Sequence, residues 1–241
     1  MKIALVDERI DDVCAEGLCS FGFTPVRLKP HRQLSSAVRS HTDLIISRLG
    51  DEYFMTEEYK DAYPSLVGKI EKMLSKKALH FTPDTLCDIY PKDCALNFFA
   101  LDGAIVCNPK TLSPTVLKRA KEKGLRIISV KQGYPACSAL RLNGRAVITA
   151  DCGIARALEA EGFRAYLIEA GGISLPPHEY GFIGGAAGVF GDTVYFLGDV
   201  SRHASFERIK YAIKSEGMNY ISLSEGELCD LGGILFAEEN V

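Results

Sequence analysis

Apolar and polar positions along this chain recur in one fixed order, roughly every 40 to 50 residues. Small residues lead to a Gly, Asn or Asp turn, then come an apolar run, a segment with the apolar spacing of a helix, and a second apolar run. The clearest copy has small residues at 134–142, a turn at 143–144, an apolar run at 145–150, a helical pattern at 153–162 and an apolar run at 163–169. Each copy therefore predicts two strands, a helix and a third strand.

Turn residues separate the first two strands of each copy. Asp102-Gly103 and Asn143-Gly144 are typical of β-hairpins, because both central residues of a type I′ turn need positive φ. Asp7, Asp151 and Asp199 each come shortly before a predicted helix, so we predict that they are N-caps.

The repeat continues across the chain ends. Residues 228–241 supply a first strand without a following helix, and residues 1–30 supply the missing strand, helix and strand. The other units are 41–84, 90–131, 134–170 and 180–226. A unit shared by both termini closes a circle and leaves no unpaired edge strand, so we predict one domain, residues 1–241, in which five ββαβ units form a ring. The alternative is an open, doubly wound α/β sheet, which does not explain the small-residue strand before each turn.

Composition agrees with one globular domain. The chain has 241 residues, of which 47% are hydrophobic and 24% charged. The net charge of −3 argues against nucleic-acid binding, which needs a clustered excess of cations. No apolar run approaches the ~20 residues of a membrane span, and Met1 leads directly into a short strand rather than a signal peptide. We expect a cytoplasmic protein without a membrane partner.

The cysteines and glycines give no sign of a metal or a cofactor. The eight cysteines show no CxxC pair and no Cys/His ligand spacing, so we expect most to be reduced, buried side chains. There is no glycine-rich phosphate loop. Gly184, Gly185 and Gly188 are better explained by inner strands that pack closely. We therefore predict that the protein uses neither a metal nor an organic cofactor.

The order of the units and their closure across the termini resemble the pentein fold of guanidine-group-modifying enzymes, and more narrowly a small bacterial family with this fold. The resemblance covers nearly the whole chain and implies an α/β propeller around a central channel. The superfamily includes arginine and agmatine deiminases, dimethylarginine dimethylaminohydrolases and amidinotransferases, and also ribosome anti-association factors, which are not enzymes. In its enzymes a cysteine thiolate attacks the guanidinium carbon, a histidine moves protons and carboxylates hold the cation.

Two motifs carry the resemblance in the first half of the chain. His41-Thr42-Asp43 is similar to the enzymes' His-x-Asp motif, which implies a catalytic role for His41 and a ligand-binding role for Asp43. Lys92-Asp93 is similar to their Arg-Asp motif, with the acid kept and the arginine lost, which implies that Asp93 binds a cation. In the enzymes the His-x-Asp motif comes later in the chain than the other acid, whereas here it comes earlier.

The second half of the chain departs from the enzymes. The unit in which the resemblance would place the His-x-Asp motif offers only His178 as a substitute ligand. The terminal Gly-Gly-Gly-x-His-Cys signature is replaced by residues 231–236, so Phe236 stands at the position of the nucleophile. Cys229, aligned from the turn of its unit, is the candidate that remains, and Asp230 beside it either faces the channel or caps a turn. We rank Cys137 below Cys229, and a core position is the alternative for both.

These departures leave two functions open. The favoured one is a non-catalytic pentein with a polar central channel, which binds a small guanidino or amino-acid-like ligand or a protein partner. The alternative is a divergent amidinohydrolase or amidinotransferase in which Cys229 is the nucleophile, with His41, Asp43 and Asp93 around it.

Overall fold

The computed structural model describes residues 1–74 and 79–238. Its strands are β1 (Lys2–Asp7), β2 (Phe23–Leu28), β3 (Ile46–Leu49), β4 (Glu52–Thr56), β5 (Leu79–Thr82), β6 (Phe99–Leu101), β7 (Ala104–Cys107), β8 (Arg126–Ser129), β9 (Ala139–Arg141), β10 (Ala146–Thr149), β11 (Arg164–Leu167), β12 (Ile173–Ser174), β13 (Ala187–Phe190), β14 (Thr193–Phe196), β15 (Asn219–Ser222), β16 (Leu228–Cys229) and β17 (Leu235–Glu238).

Its helices are α1 (Asp12–Ser20), α2 (Thr42–Ile45), α3 (Glu57–Ala62), α4 (Pro64–Leu74), α5 (Pro114–Glu122), α6 (Pro135–Ser138), α7 (Cys152–Ala160) and α8 (Phe206–Ser215), with a 3₁₀ turn at Val200–Arg202. The end of the helix predicted in the unit 41–84 and the last three residues of the predicted closing unit lie outside the described residues. Within the described ranges, no helix has the length and apolar character needed to cross a membrane.

Five sheets of one repeated design dominate the α/β fold, and β12 and β16 form a separate parallel pair. The described residues form five three-stranded sheets, with the strand orders β17-β1-β2, β3-β4-β5, β6-β7-β8, β9-β10-β11 and β13-β14-β15. In each sheet the first pair of strands is antiparallel and the second pair is parallel, so a helical crossover joins the last two strands. The predicted α/β class is confirmed.

The two ends of the chain share one sheet. β17 pairs antiparallel with β1, with Leu235 opposite Leu5 and Glu238 opposite Lys2. β1 then pairs parallel with β2 after the α1 crossover. The predicted pairing of the chain termini is therefore confirmed.

Apolar helix faces and sheet faces form the core. In α7, Ile154 and Leu158 lie one turn apart and pack with Val147 of β10. In α8, Ile209 and Ile213 have the same spacing and pack with Val194 of β14. Each such side chain contributes roughly 1.5–3 kcal/mol when it is fully removed from water. This packing holds every crossover helix against its own sheet.

The first strand of every three-stranded sheet borders one cavity. β3 contacts β6, and β13 contacts both β9 and β17. Residues of these five strands line a cavity of about 410 Å³. The glycines keep the strands close: a Cβ on Gly188 would lie 2.4 Å from the carbonyl oxygen of Ile234, and one on Gly184 would lie 2.2 Å from that of Ala136. The predicted close strand packing is confirmed for Gly188, whereas Gly184 and Gly185 lie before β13 and pack against α6 and the side chain of Asp230.

The small-residue segments are less extended than we predicted. Instead of strands across residues 41–49 and 134–142, the helical turns α2 and α6 come first and the short strands β3 and β9 follow. Pro135 begins α6, where a fixed φ and a missing N–H suit the first position of a helix. These turns matter because they carry the side chains of the candidate site.

The predicted N-caps have different outcomes. Asp151 accepts hydrogen bonds from the first amides of α7, so its prediction is confirmed. Asp199 caps the 3₁₀ turn at Val200–Arg202 and not the predicted helix, because α8 begins later, at Phe206. The prediction that Asp7 is a cap is wrong, because Asp11 caps α1. The Asp7 carboxylate is instead fully buried and accepts from the guanidinium of Arg9, because that cation lies two residues away and can offer two donors.

Candidate functional site

Two short helical turns place a histidine, an aspartate and a cysteine together. His41 precedes α2, Asp43 lies in its first turn, and Cys137 lies in α6. The Thr149 hydroxyl at the end of β10 donates to the carbonyl of Ser138 at 2.7 Å and so fixes the end of α6. Ligand atoms of His41, Asp43 and Cys137 all lie within 4.8 Å of one another.

The thiol of Cys137 contacts the carboxylate of Asp43. Its Sγ donates to Oδ2 at 2.6 Å. The amide of Asn97 donates to the same sulfur at 3.4 Å and to the backbone carbonyl of Asp43 at 3.4 Å. Its Oδ1 accepts from the backbone N–H of Ala136 at 2.8 Å. Asn97 therefore links both helical turns and holds the thiol beside the acid.

The imidazole of His41 completes this group. It is 1% exposed, and among the described residues neither ring nitrogen has a hydrogen-bond partner. Its Nδ1 is 3.8 Å from Oδ1 of Asp230. Asp230 accepts from the backbone N–H groups of Phe182 at 2.8 Å and Gly232 at 3.0 Å. Asp230 thus caps a turn, as one of the two possibilities left open by the sequence, and its carboxylate also lies near the imidazole.

Gly232 allows the segment before β17 to approach His41 closely. It has a φ of +70°, which favours glycine, and a Cβ there would lie 2.6 Å from Cβ of His41. Its carbonyl accepts from the backbone N–H of Asp43 at 3.2 Å. The glycine-rich segment before β17 therefore positions the His-x-Asp turn.

Burial and neighbouring acids set the charges of the group. Burial, and then Asp230, raise the pKa of Asp43 to about 7. Burial, and then Asp43, raise the pKa of the Cys137 thiol well above its usual value. Burial lowers the pKa of His41, although Asp230 opposes this. At neutral pH the thiol is therefore protonated, the imidazole is neutral and Asp43 is close to its titration midpoint.

A cation bound here would change these protonation states, because positive charge favours the ionised forms of an acid and a thiol. One nitrogen, one oxygen and one sulfur ligand are also a donor set that Zn²⁺ accepts, so His41, Asp43 and Cys137 are the described residues that could hold a metal ion.

A second acid lies beside this group with a tyrosine partner. The Tyr134 hydroxyl donates to Oδ2 of Asp93, and burial and this carboxylate raise the pKa of Tyr134. Oδ1 of Asp93 is buried and has no hydrogen-bond partner among the described residues. Tyr134 is the residue before α6, three positions from Cys137. Asp93 therefore has one carboxylate oxygen that can accept a hydrogen bond from a ligand.

Cys229 lies elsewhere in this region. It is half-buried in β16, and its backbone N–H donates to Leu197 at 2.9 Å. Its side chain packs against an apolar cluster that includes Leu231 and Ile234. Burial, and then Asp230, raise the pKa of its thiol. The role of Cys229 as a nucleophile stays a prediction, but Cys137 is the cysteine that contacts Asp43.

The two other predicted positions are also located. His178 is exposed in the segment between β12 and β13, where its backbone N–H donates to Leu175 at 2.8 Å. Phe236 is a core residue of β17, with its ring centroid 4.6 Å from that of Phe23. The position at which the resemblance implied a nucleophile therefore contributes packing to the fold.

One cavity borders the group at Asp43, and a second lies close to it. The first, of about 410 Å³, has Asp43, Ala136 and Gly232 at one end. The second, of about 290 Å³, is lined by Ser138, next to Cys137, and by Phe182, whose N–H binds Asp230. Asp151 and Glu169 add acidic groups to its lining, and an acidic lining favours a cationic ligand.

Sequence reasoning did not identify Asn97 or Tyr134 as site residues. Asn97 comes four residues after Asp93, and Tyr134 comes three residues before Cys137. These spacings to the motif residues are the only signal in the sequence, and such spacings are common in loops.

Comparison with known proteins gives a family and a fold. The model of a family described as "Family of unknown function (DUF6873)" matches residues 5–235. Among proteins with curated descriptions, none matches this chain.

Solved structures match over most of the chain. An amidinotransferase from Microseira wollei in the saxitoxin biosynthetic pathway is 12% identical, with a TM-score of 0.52, over 92% of this chain and 77% of that one. A dimethylarginine dimethylaminohydrolase mutant from Pseudomonas aeruginosa, solved with citrulline, is 10% identical, with a TM-score of 0.56, over 93% and 91%. An inosamine-phosphate amidinotransferase from Streptomyces griseus is 12% identical, with a TM-score of 0.54, over 92% and 75%. The suspected pentein fold is therefore confirmed.

Proposed function

Because the chain belongs to the family of unknown function DUF6873 and has the pentein fold, we propose that it is a thiol-dependent enzyme that acts on a guanidino or amidino group, with Cys137 as the nucleophile. The observation that carries the proposal is the contact of the Cys137 thiol with the Asp43 carboxylate, beside the His41 imidazole, which has no hydrogen-bond partner among the described residues. Nucleophile, acid and histidine within 4.8 Å are a minimal set for covalent catalysis.

The proposal places the five sheets as an α/β propeller around the larger cavity, in one domain that covers residues 1–241. Five first strands that border one cavity support this arrangement. A small guanidino or amino-acid-like ligand fits the acids near the thiol, since a planar cation with several N–H donors binds carboxylates with two parallel hydrogen bonds.

The free oxygen atoms of the acids favour such a ligand. Oδ1 of Asp43 and Oδ1 of Asp93 are both buried and without a hydrogen-bond partner among the described residues. A buried acceptor without a donor costs about 1–3 kcal/mol, which a guanidinium N–H group would recover. Both oxygens would therefore accept hydrogen bonds from the cation.

The cation also supplies the activation that the resting thiol lacks. Its positive charge favours ionisation of Cys137, whose proton passes by way of Asp43 and His41 to the leaving nitrogen. The S–C bond forms at the guanidinium carbon, the C–N bond breaks and an amine departs. Water or an acceptor amine then attacks the same carbon, the C–S bond breaks, and one proton returns to Sγ. With water the reaction is a hydrolysis, and with an amine it is an amidino transfer.

The test compares a cationic label with its neutral analogue. The full chain is treated with 2-chloroacetamidine or with 2-chloroacetamide, and the modified cysteine is identified by mass spectrometry. We expect the amidine to modify Cys137 faster than the amide does, and Asp43→Asn to abolish this preference. Cys229→Ser is the matched control and should leave the preference unchanged.

Two results would reject the proposal. One is equal labelling of Cys137 by both reagents. The other is a preference for the amidine at Cys229, which would transfer the nucleophile to that residue. Turnover is then measured for the wild-type chain and for Cys137→Ser, as ammonia release from arginine and agmatine and as dimethylamine release from asymmetric dimethylarginine.

A second candidate function is binding of the same ligand without turnover. The observation that favours it is the burial of Cys137, which is 4% exposed and has a raised thiol pKa. A wild-type chain that binds a guanidino compound in calorimetry but never forms an adduct or releases ammonia would establish this function.

A further inference from the structure

The larger cavity has a second polar end, away from the thiol. Its lining there comes from the strand ends and hairpin turns of three sheets and includes Arg48 at the end of β3, Asp102 after β6 and Arg141 at the end of β9. Arg48 is the third residue of β3, so at about 3.3 Å per residue it lies roughly 7 Å along the strand from Ile46, which directly follows the turn that contains Asp43. This end is therefore distinct from the Cys137 group.

Contacts within the protein hold the side chain of Arg48. Its Nε donates to the carbonyl of Gly50 at 2.7 Å, and its guanidinium lies 5.8 Å from the ring centroid of Tyr53. Both contacts leave the two terminal nitrogens available to a ligand. Among the residues described by the structure, Arg48 has no carboxylate within ion-pair distance.

Arg141 has a similar arrangement across the cavity. Its Nη1 donates to the carbonyl of Ala100 at 3.3 Å, and within the described ranges it forms no ion pair. The protein around it lowers its pKa, and the charge of Arg48 lowers it further, whereas Asp102 opposes this. Two guanidinium groups thus repel each other at one cavity end.

The other charged groups at this end of the cavity do not neutralise the positive charge of the two arginines. Lys123 also lines this end, but its Nζ pairs with Glu52 at 2.9 Å and Asp51 at 3.5 Å. Asp102 supplies a single negative charge to the same lining as Arg48 and Arg141, neither of which forms an ion pair with any residue that the structure describes. One positive charge therefore stays uncompensated.

We propose that Arg48 and Arg141 form a binding site for a small oxyanion, a carboxylate or a phosphate, at the hairpin end of the larger cavity. Arginine forks match the paired oxygens of both groups, and two forks from different sheets can hold one anion from two sides. Binding would remove the repulsion between the guanidiniums. Asp102 would oppose the anion, so its removal should strengthen binding.

Isothermal titration calorimetry on the full chain tests the site, with inorganic phosphate and with malonate at low ionic strength. We expect one anion per chain. Arg48→Gln and Arg141→Gln should each weaken binding by at least about tenfold, because each removes charge-assisted hydrogen bonds. Arg208→Gln, on an exposed face of α8, is the matched control and should bind as the wild type does. Tighter phosphate binding would identify a phosphorylated ligand, and tighter malonate binding a carboxylate.

Thermal unfolding provides a second measurement of anion binding in case a variant is too unstable for calorimetry. Without anion, Arg141→Gln should melt no lower than the wild type, because like-charge repulsion is relieved. Phosphate or malonate should raise the melting temperature of the wild type and of Cys137→Ser but not that of Arg141→Gln. Absence of heat and of stabilisation with both anions, or binding that both glutamine variants retain, would overturn the proposal. Since Cys137→Ser keeps this site, the result is independent of the proposed enzymatic function.

Discussion

The thiol of Cys137 donates to Oδ2 of Asp43 at 2.6 Å, across 94 positions of the chain. Each residue lies in a helical turn just before the first strand of a sheet, and the two sheets are different. The pairing therefore depends on how sheets meet around the cavity, and on the glycines that let them meet.

We expect Gly184→Ala to destabilise the protein and to disturb the thiol. A Cβ at this position would lie 2.2 Å from the carbonyl oxygen of Ala136 and 2.6 Å from that of Cys137, so α6 would have to move. The loss in free energy of unfolding should be at least about 3 kcal/mol. Chemical denaturation measures this loss.

Gly68→Ala is the matched control for that change. Gly68 lies inside α4 and has open space around its Cβ position. The same substitution there should increase the free energy of unfolding by up to about 1 kcal/mol, since alanine favours the helix. Equal effects at both glycines would contradict the close packing around α6.

Asp43→Asn should stabilise the protein more as the pH rises. Burial raises the pKa of Asp43 from its ordinary value of 3.8 to about 7 in the folded chain. At acidic pH Asp43 is protonated in both the folded and the unfolded chain and does not reduce stability. As the pH rises, ionisation of Asp43 in the unfolded chain increasingly destabilises the folded state, and this destabilisation is complete above about pH 7. The difference in melting temperature between variant and wild type should therefore increase from about pH 4 to about pH 8.

Asp61→Asn, on the exposed side of α3, provides the comparison for Asp43→Asn. It should leave the pH dependence of the melting temperature unchanged. An Asp43→Asn difference that stays constant across this pH range would show that Asp43 has an ordinary pKa.

Neutral alkylating reagents should label the cysteines in an order set by exposure and thiol pKa. Cys19 and Cys152 are exposed. Cys137 is buried and has a raised thiol pKa, and Cys229 is half-buried with a raised thiol pKa. Iodoacetamide near neutral pH should react with the exposed pair at least about tenfold faster than with Cys137, because the thiolate is the reactive species. Fast labelling of Cys137 without a cationic ligand would show that its resting thiol is ionised rather than protonated.

Glu52→Gln should reduce the loss of stability in acid. Hydrogen bonds from Arg119, at 2.8 and 2.7 Å, lower the pKa of Glu52 to about 2. A lowered pKa stabilises the folded state above the ordinary carboxylate pKa, and this stability disappears as the pH falls towards 2. Between about pH 6 and pH 3 the free energy of unfolding of the wild type should therefore fall by about 1 kcal/mol more than that of the variant. The difference is this small because Arg119 is partly exposed, so that solvent screens the ion pair. Glu207→Gln, in an exposed pair with Lys210, should change nothing; an identical acid response of Glu52→Gln and the wild type would refute the prediction.

Much of the fold could be predicted from the sequence because its signals are local. The Asn143-Gly144 turn, the helix spacing of Ile154 and Leu158 and the Asp151 cap each depend on residues a few positions apart. The same regularity made the pairing of the two chain ends predictable, since β17 and β1 complete a unit that the chain otherwise repeats. The extent of β3 and β9 was not predictable, because small residues do not distinguish a helical turn from a strand.

The sequence by itself determined the α/β class, the order of elements in each unit and the motif that contains His41 and Asp43. Only the tertiary structure decided that Cys137, and not Cys229, contacts Asp43, and that Asn97 and Asp230 hold the thiol, acid and imidazole in place. Periodicity reports which face of an element is apolar, and it carries no information on which turns of different sheets meet. Those meetings depend on the close packing of the inner strands, which brings residues 94 positions apart within hydrogen-bond distance.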